Sequence, residues 1–249
     1  MNSITDLSSK IIVVTGAGSG IGRSTCIVAS SQGATVILLD LSEEGMKTTL
    51  SMMSGNGHGC YVIDLTNIDS LSNLVRTIIN EYGEIHGLVH CAGISSRRPL
   101  NVIKRDNFLK LMDVNFFSFV ELVKQLTKKG RMVDGGSVVA VSSISSIKGY
   151  KAKTEYCVSK SSVDAFVRCM ALELSSRRIR INTVMPAIVN TPLAVKAQEI
   201  NKVVNGEDFY APLGASEPEE VANLIVFLLS DATKTITGTS LLIDGGATV

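Results

Sequence analysis

Ser143, Tyr156 and Lys160 have the types and spacing to move a proton at an oxygen atom. Tyr156 and Lys160 stand four apart in Tyr156-Cys157-Val158-Ser159-Lys160. Helical residues at that spacing share a face, with about 5–6 Å between Cβ atoms. A phenol and an ammonium then border one small volume. A free phenol, with a pKa of about 10, is a poor base at neutral pH. A fixed neighbouring cation favours the phenolate, and a drop of about 3 units takes about 4 kcal/mol. Ser143 follows the apolar run 137–141, where its hydroxyl can hold a substrate oxygen while Tyr156 gives or takes the proton. Taken alone, a Tyr and a Lys at helical spacing are more often a half-buried Tyr beside a solvated Lys. The surrounding elements decide between these readings.

A buried strand over residues 10–15 is β-branched from Ile11 to Val14. Thr15-Gly16-Ala17-Gly18-Ser19-Gly20-Ile21-Gly22 follows, running into a helical pattern that ends at Gln32. Such a turn brings backbone N–H groups against a pyrophosphate at a helix N-terminus. Glycine supplies the unusual φ/ψ and leaves out a Cβ. Without support this is an ordinary tight turn, but a second strand over 34–39 ends in Asp40. A carboxylate there accepts the adenosine ribose hydroxyls and repels a 2′-phosphate. The plainer role for Asp40 is capping a helix that starts near Ser42.

The pattern continues with a helix over 42–53, a strand over 60–63 before Asp64, and a helix over 68–82 with one apolar face. A strand over 87–90 leads to Cys91-Ala92-Gly93, and a long helix over 105–128 carries Asn115. A strand over 135–142 and a helix over 155–177 flank a Ser/Gly-rich loop. A strand over 179–184, a helix over 217–229 and a strand over 240–243 complete the set. Strands alternating with helices predict a single-domain α/β chain over residues 1–249: a Rossmann fold with a doubly wound, seven-stranded parallel sheet and helices on both faces. Ligands of such sheets lie beyond the strand C-termini, where Asp40, Asp64, Gly93 and Ser143 all fall.

The chain has 249 residues, 45% of them hydrophobic, and a net charge of +1. That suffices for a full core. No basic block points to nucleic acid, no apolar run approaches a membrane span, and residues 1–9 lack the pattern of a secretion signal. A cytoplasmic location is expected. Cys26, Cys60, Cys91, Cys157 and Cys169 are scattered, as reduced thiols would be. His58, His86 and His90 show no ligand spacing, so no metal is expected.

Taken together, these motifs resemble the short-chain dehydrogenase/reductase family, compact single-domain branch, along essentially the whole chain. Residues 15–22 fit the family's Thr-Gly-x-x-x-Gly-x-Gly turn, with Gly16, Ser19, Gly20, Ile21 and Gly22 at the cofactor. Ser143, Tyr156 and Lys160 fit its catalytic trio, and Asn115 fits a fourth member that fixes a water linking the lysine to solvent. The resemblance implies that Lys160 binds the nicotinamide ribose. It places Asp64 and Leu65 beside the adenine, with Leu41 next to Asp40, and it puts Cys91, Ala92 and Gly93 along the cofactor. Val189 and Thr191 would hold the carboxamide. The family's usual Asn-Asn-Ala-Gly is His90-Cys91-Ala92-Gly93 here, and its Pro-Gly is Pro186-Ala187.

The function expected from all this is NAD(H)-dependent interconversion of a secondary alcohol and a ketone. A hydroxysteroid or similar nonpolar alcohol would suit Ile144, Ile147, Val189, Leu193 and Phe209. A 3-oxoacyl thioester is the alternative, and a catalytically silent nucleotide sensor is the rival of another class. Arg97 and Arg98 could meet an anionic substrate, although adjacent loop arginines are more often solvated. The expected partners are a small-molecule substrate and other copies of the chain, with no nucleic acid and no membrane. A homotetramer would cover the long helices and outward residues such as Phe116, Phe119 and Phe166. Residues 187–215, with weak periodicity, read as a lid.

Overall fold

The computed structural model describes residues 3–193, 195 and 211–249. Seven parallel strands form one sheet, ordered β3-β2-β1-β4-β5-β6-β7. They are β1 (Ile11–Thr15), β2 (Thr35–Asp40), β3 (Gly59–Val62), β4 (Ile85–His90), β5 (Met132–Val141), β6 (Arg180–Pro186) and β7 (Ser240–Ile243). Strand order reverses between β1 and β4, so their C-terminal ends open the crevice in which such sheets bind ligands.

The helices are α1 (Gly20–Ser31), α2 (Glu43–Ser51), α3 (Ile68–Tyr82), α4 (Arg105–Met112), α5 (Ser118–Leu126), α6 (Thr154–Glu173) and α7 (Pro218–Leu229). Leu71 and Val75 of α3, Phe119 and Leu122 of α5, and Val163 and Val167 of α6 bury one face of the sheet. Cys26 and Ala29 of α1, Met46 of α2, and Val221 and Ile225 of α7 bury the other. With both faces covered, the central strands are continuous apolar runs, not alternating ones.

The expected helix over 105–128 is broken. Between α4 and α5 lies a π turn, Asp113–Phe117. Its extra residue per turn is absorbed at Asn115, whose side chain accepts from the Ile94 N–H (2.8 Å) and donates to the Ile94 carbonyl (2.9 Å). Such turns recur at functional sites. The strand expected over 135–142 begins earlier. Ile85 pairs with Met132 but Gly87 pairs with Ser137, and the chain between turns at Gly135 (φ +83°). The helix expected over 155–177 stops at Glu173, followed by a 3₁₀ turn, Ser175–Arg177.

Phe119 is not an outward residue. It is fully buried and stacks on His90 with ring centroids 5.1 Å apart. Phe116 and Phe166 are partly buried and meet edge to face. The apolar side chains left exposed on these helices are Phe117, Val158 and Leu172. Most of the expected lid lies outside the described residues. Its described end joins the body through a bridge between Val189 and Ser216. Among the described residues no helix is long and apolar enough to cross a membrane.

The tightest constraint is at the start of α1. A Cβ on Gly22 would lie 2.1 Å from the Gly16 carbonyl oxygen. The neighbour is backbone and cannot turn aside. Gly22→Ala is therefore expected to destabilise the chain by about 1–3 kcal/mol, the usual cost of overpacking. Urea unfolding of both proteins measures it.

Candidate active site

The glycine turn is built against two other backbones. Gly16 sits at φ +66°, and a Cβ there would be 2.9 Å from the Ala92 nitrogen. Gly20 sits at φ +52°, with Thr191 Cγ2 3.1 Å from where its Cβ would be. Residues 91–92 and Thr191 thus border the turn, as the sequence suggests. A Cβ on Gly18 would meet the Asp40 carboxylate at 3.0 Å.

Asp40 braces the backbone on either side of it. Its Oδ2 accepts from the Gly18 N–H at 2.9 Å and its Oδ1 from the Ser42 N–H at 2.8 Å. Ser42, not Asp40, caps α2, by accepting from the Gly45 N–H. A carboxylate has about four acceptor sites, so two remain for ribose hydroxyls. Sequence reasoning passed over Gly18 and Arg23. The Arg23 guanidinium donates to the Gly18 carbonyl and to Thr49, whose hydroxyl donates to the Ala17 carbonyl. No spacing rule would have found that brace.

At the end of β4, where the family's usual asparagine is replaced, His90 meets Thr15. His90 Nδ1 and Thr15 Oγ1 are 3.0 Å apart, and Thr15 Oγ1 accepts from the Ala92 N–H at 3.1 Å. This ties β4 to β1 where the crevice opens. Burial, helped by the nearby Lys160 charge, drives the His90 pKa down to about 3. Burial likewise pushes the Cys91 thiol up to about 12, which makes it inert at neutral pH.

Lys160, Asn115 and Gly93 meet beyond this point. A Cβ on Gly93 would lie 3.4 Å from Asn115 Oδ1 and 3.6 Å from Lys160 Nζ. Asn115 spends its amide on Ile94 and on Ser159 Oγ (3.0 Å), so its side chain braces the loop after β4. Lys160 Nζ donates to the Val141 carbonyl at 2.7 Å. An ammonium has three donors, and the two others are available to a ligand. Burial lowers the Lys160 pKa to about 8, with Asp164 and Cys91 opposing.

Lys160 Nζ stands 5.8 Å from the Tyr156 ring centroid. Burial raises the Tyr156 pKa to about 12, against a hydrogen bond with Ser143 that lowers it. In the chain by itself the phenol is therefore protonated at neutral pH. Desolvation is the larger effect, as burial disfavours a charged phenolate.

The remaining candidates fall on either side. Val189 and Thr191 are buried, and the Thr191 N–H donates to the Val189 carbonyl at 2.7 Å. Leu65 is buried, while Leu41 and Asp64 are exposed at the ends of β2 and β3. Asp64 turns to Thr66, and those hydrogen bonds lower its pKa. The residues expected around a nonpolar substrate lie at different depths. Ile144 is core, Ile147 is 62% exposed, and Phe209 lies outside the described residues. Arg98 is not simply solvated. It pairs at 2.9 Å with Glu155, a buried carboxylate that also accepts from Ser96 at 2.7 Å.

A doubly wound sheet with a glycine turn at its switch point, facing a Ser, Tyr and Lys cluster, defines a dinucleotide-dependent oxidoreductase fold. The chain belongs to the short-chain dehydrogenase/reductase family: a family model described as enoyl-(acyl carrier protein) reductase matches residues 16–248. It is 34% identical over 249 residues to a 3-oxoacyl-acyl-carrier-protein reductase of Thermotoga maritima, covering 98% of this chain and 99% of that one. It is 30% identical over 247 residues to an NAD-dependent glycerol dehydrogenase of Listeria innocua, covering 98% of this chain and 96% of the relative. The solved structure of an actinorhodin polyketide ketoreductase variant with NADPH superposes with a TM-score of 0.90 at 26% identity, covering 99% of each chain.

The His90 shift has a consequence for stability. The folded pKa, about 3, lies below the ordinary 6.5. As pH falls through 6.5 the unfolded chain takes up a proton that the folded chain refuses. Stability is thus full above that pH and is lost on the way down to about 3, by at most about 1.4 kcal/mol per pH unit. His90→Asn removes this proton sink. Its unfolding free energy is expected to fall less steeply between pH 6.5 and 4 than that of the wild type, as read by urea titrations at each pH.

Proposed function

We propose that the protein is an NAD(H)-dependent oxidoreductase interconverting a secondary alcohol and a ketone, with Tyr156 as the acid/base. The observation that carries this is the Ser143–Tyr156–Lys160 cluster at the C-terminal end of β5, facing the crevice bordered by the glycine turn. The dinucleotide, when bound, supplies or accepts the hydride.

The chain's own residues do the rest. Backbone N–H groups of the glycine turn and the start of α1 hold the diphosphate. Asp40 holds the adenosine ribose, and the spare donors of Lys160 hold the ribose beside the nicotinamide. Val189 and Thr191 orient the carboxamide. Ser143 and Tyr156 both hydrogen-bond the substrate oxygen. In reduction Tyr156 gives that oxygen its proton, and Lys160 stabilises the phenolate left behind. A protonated Tyr156 is ready for this step at neutral pH. Oxidation runs in reverse and requires the phenol pKa to fall, which cationic charge nearby favours.

Tyr156→Phe keeps the ring and removes the proton. Turnover should drop by about 10²–10⁴-fold with little change in dinucleotide binding. Near-normal turnover would remove Tyr156 from the mechanism.

Asp40 supports NAD(H) over NADP(H). A 2′-phosphate near this carboxylate at about 4 Å meets a repulsion of about 4 kcal/mol per unit charge at an effective dielectric of 20, before salt screening. NAD(H) should lead by at least about 100-fold in kcat/KM, or about 2.7 kcal/mol. Asp40→Ala should weaken NAD(H) and narrow the gap. Reduction of a 3-oxoacyl thioester is the second reading, favoured by the Thermotoga relative. A wild-type preference for NADP(H) would overturn the Asp40 assignment and favour that second reading.

A further inference from the structure

We propose that the substrate is an anion, a hydroxy acid or the matching oxo acid, whose carboxylate is held by Lys153 with the Tyr150 hydroxyl as second donor. This rests on the oxidoreductase reading above and names the substrate class for that site.

Lys153 immediately precedes α6 and stands three residues before Tyr156. Its Nζ lies 5.5 Å from the centroid of the Tyr156 ring and 5.8 Å from that of Tyr150. The cation therefore sits against the very phenol that handles the proton. A small molecule whose ketone oxygen is on Tyr156 has Lys153 a few bonds away. Hydrogen bonds from an ammonium to a carboxylate are short and strong.

Nothing in the described chain neutralises this charge. Among the described residues no carboxylate pairs with Lys153; Glu155, its acidic neighbour, turns its Oε2 to Arg98 and Ser96, and its buried Oε1 has no partner among the described residues. Asp244, the acid closest in effect to Tyr150, accepts from Thr248 and the Gly246 N–H. Further cations gather instead. Arg97 is close enough to lower the Lys153 pKa beyond what burial does. Lys148 Nζ lies 5.9 Å from the Tyr150 centroid. The Tyr150 hydroxyl is buried and has no hydrogen-bond partner among the described residues. Burying such a group is costly unless something pairs with it.

The backbone holds this arrangement under strain. Ala152 adopts φ +60°, a left-handed conformation that a side chain disfavours. Its carbonyl accepts from the Arg98 N–H at 2.7 Å, and Arg98 is itself anchored by buried Glu155. Strained residues persist where the surroundings fix them, and they cluster at ligand clamps. Ala152 immediately precedes Lys153.

The test uses NADH with 3-oxobutanoate and 4-oxopentanoate, their methyl esters, and the neutral ketone cyclohexanone. The proteins are wild type, Lys153→Met and Lys153→Arg. The wild type should prefer each acid to its ester by at least about tenfold in kcat/KM, the scale of one charge-assisted hydrogen bond. In Lys153→Met the acid-to-ester ratio should fall towards one, and Lys153→Arg should restore part of it. Esters used as well as acids by the wild type, or an unchanged ratio in Lys153→Met, would overturn the inference. Turnover of cyclohexanone or the esters with neither acid used would overturn it and leave the oxidoreductase reading standing. Bound NADH with no turnover on any of these compounds would overturn both.

Discussion

Three backbones meet at the carboxyl ends of β1 and β4 with no room for a side chain between them. Gly22 packs on the Gly16 carbonyl, and Gly16 packs on residues 91 and 92. That contact lets α1 start directly off β1 and points its first N–H groups into the crevice. It also sets the distance from the turn to Asp40 and Thr191, both in reach of a Cβ that glycine leaves out. A larger residue at Gly22 would push the helix off the sheet, and every donor aimed from its end would move with it. The hydrophobic layers on either face hold the sheet rigid enough for the contact to matter.

A second layer of order is polar and buried. Thr15 joins β1 to His90 and Ala92, Asn115 joins the π turn to Ile94 and Ser159, and Lys160 is tied to the Val141 carbonyl. Each is a group that would be expensive to bury alone. Anchored by these bonds, they hold their positions, and this is what a site needs if its charges are to be aimed before substrate arrives. Burial also sets the protonation states. His90 is neutral, Tyr156 carries its proton, and Lys160 is poised near the working pH. These states follow from desolvation more than from any one neighbour.

The sheet, its helices and the clustering of Ser143, Tyr156 and Lys160 were legible in the sequence because period and spacing carry them. Val13, Val14 and their neighbours are apolar without alternation, and Tyr156 and Lys160 are one helical turn apart. What it hid are features without a period. The π turn at Asn115 looks like uninterrupted helix, since nothing in 113–117 breaks helical propensity. Phe119 reads as an outward residue on an unbroken helix, whereas past the π turn it faces His90 in the core. Arg98 looks like a solvated loop arginine because its partner, Glu155, is 57 residues away. Lys153, the cation beside Tyr156, reads in the sequence as one more residue of a Ser/Gly-rich loop.

We propose the crevice as the surface that holds one dinucleotide. The chain has no tryptophan, so the fluorescence of NADH can be followed without interference from indole. Titrating NADH with the protein should give a saturable rise in fluorescence at one site per chain, reversed by NAD⁺ in competition. No change in NADH fluorescence at millimolar protein, or a change that NAD⁺ leaves untouched, would contradict the reading of the glycine turn, Asp40 and Lys160 as one binding surface.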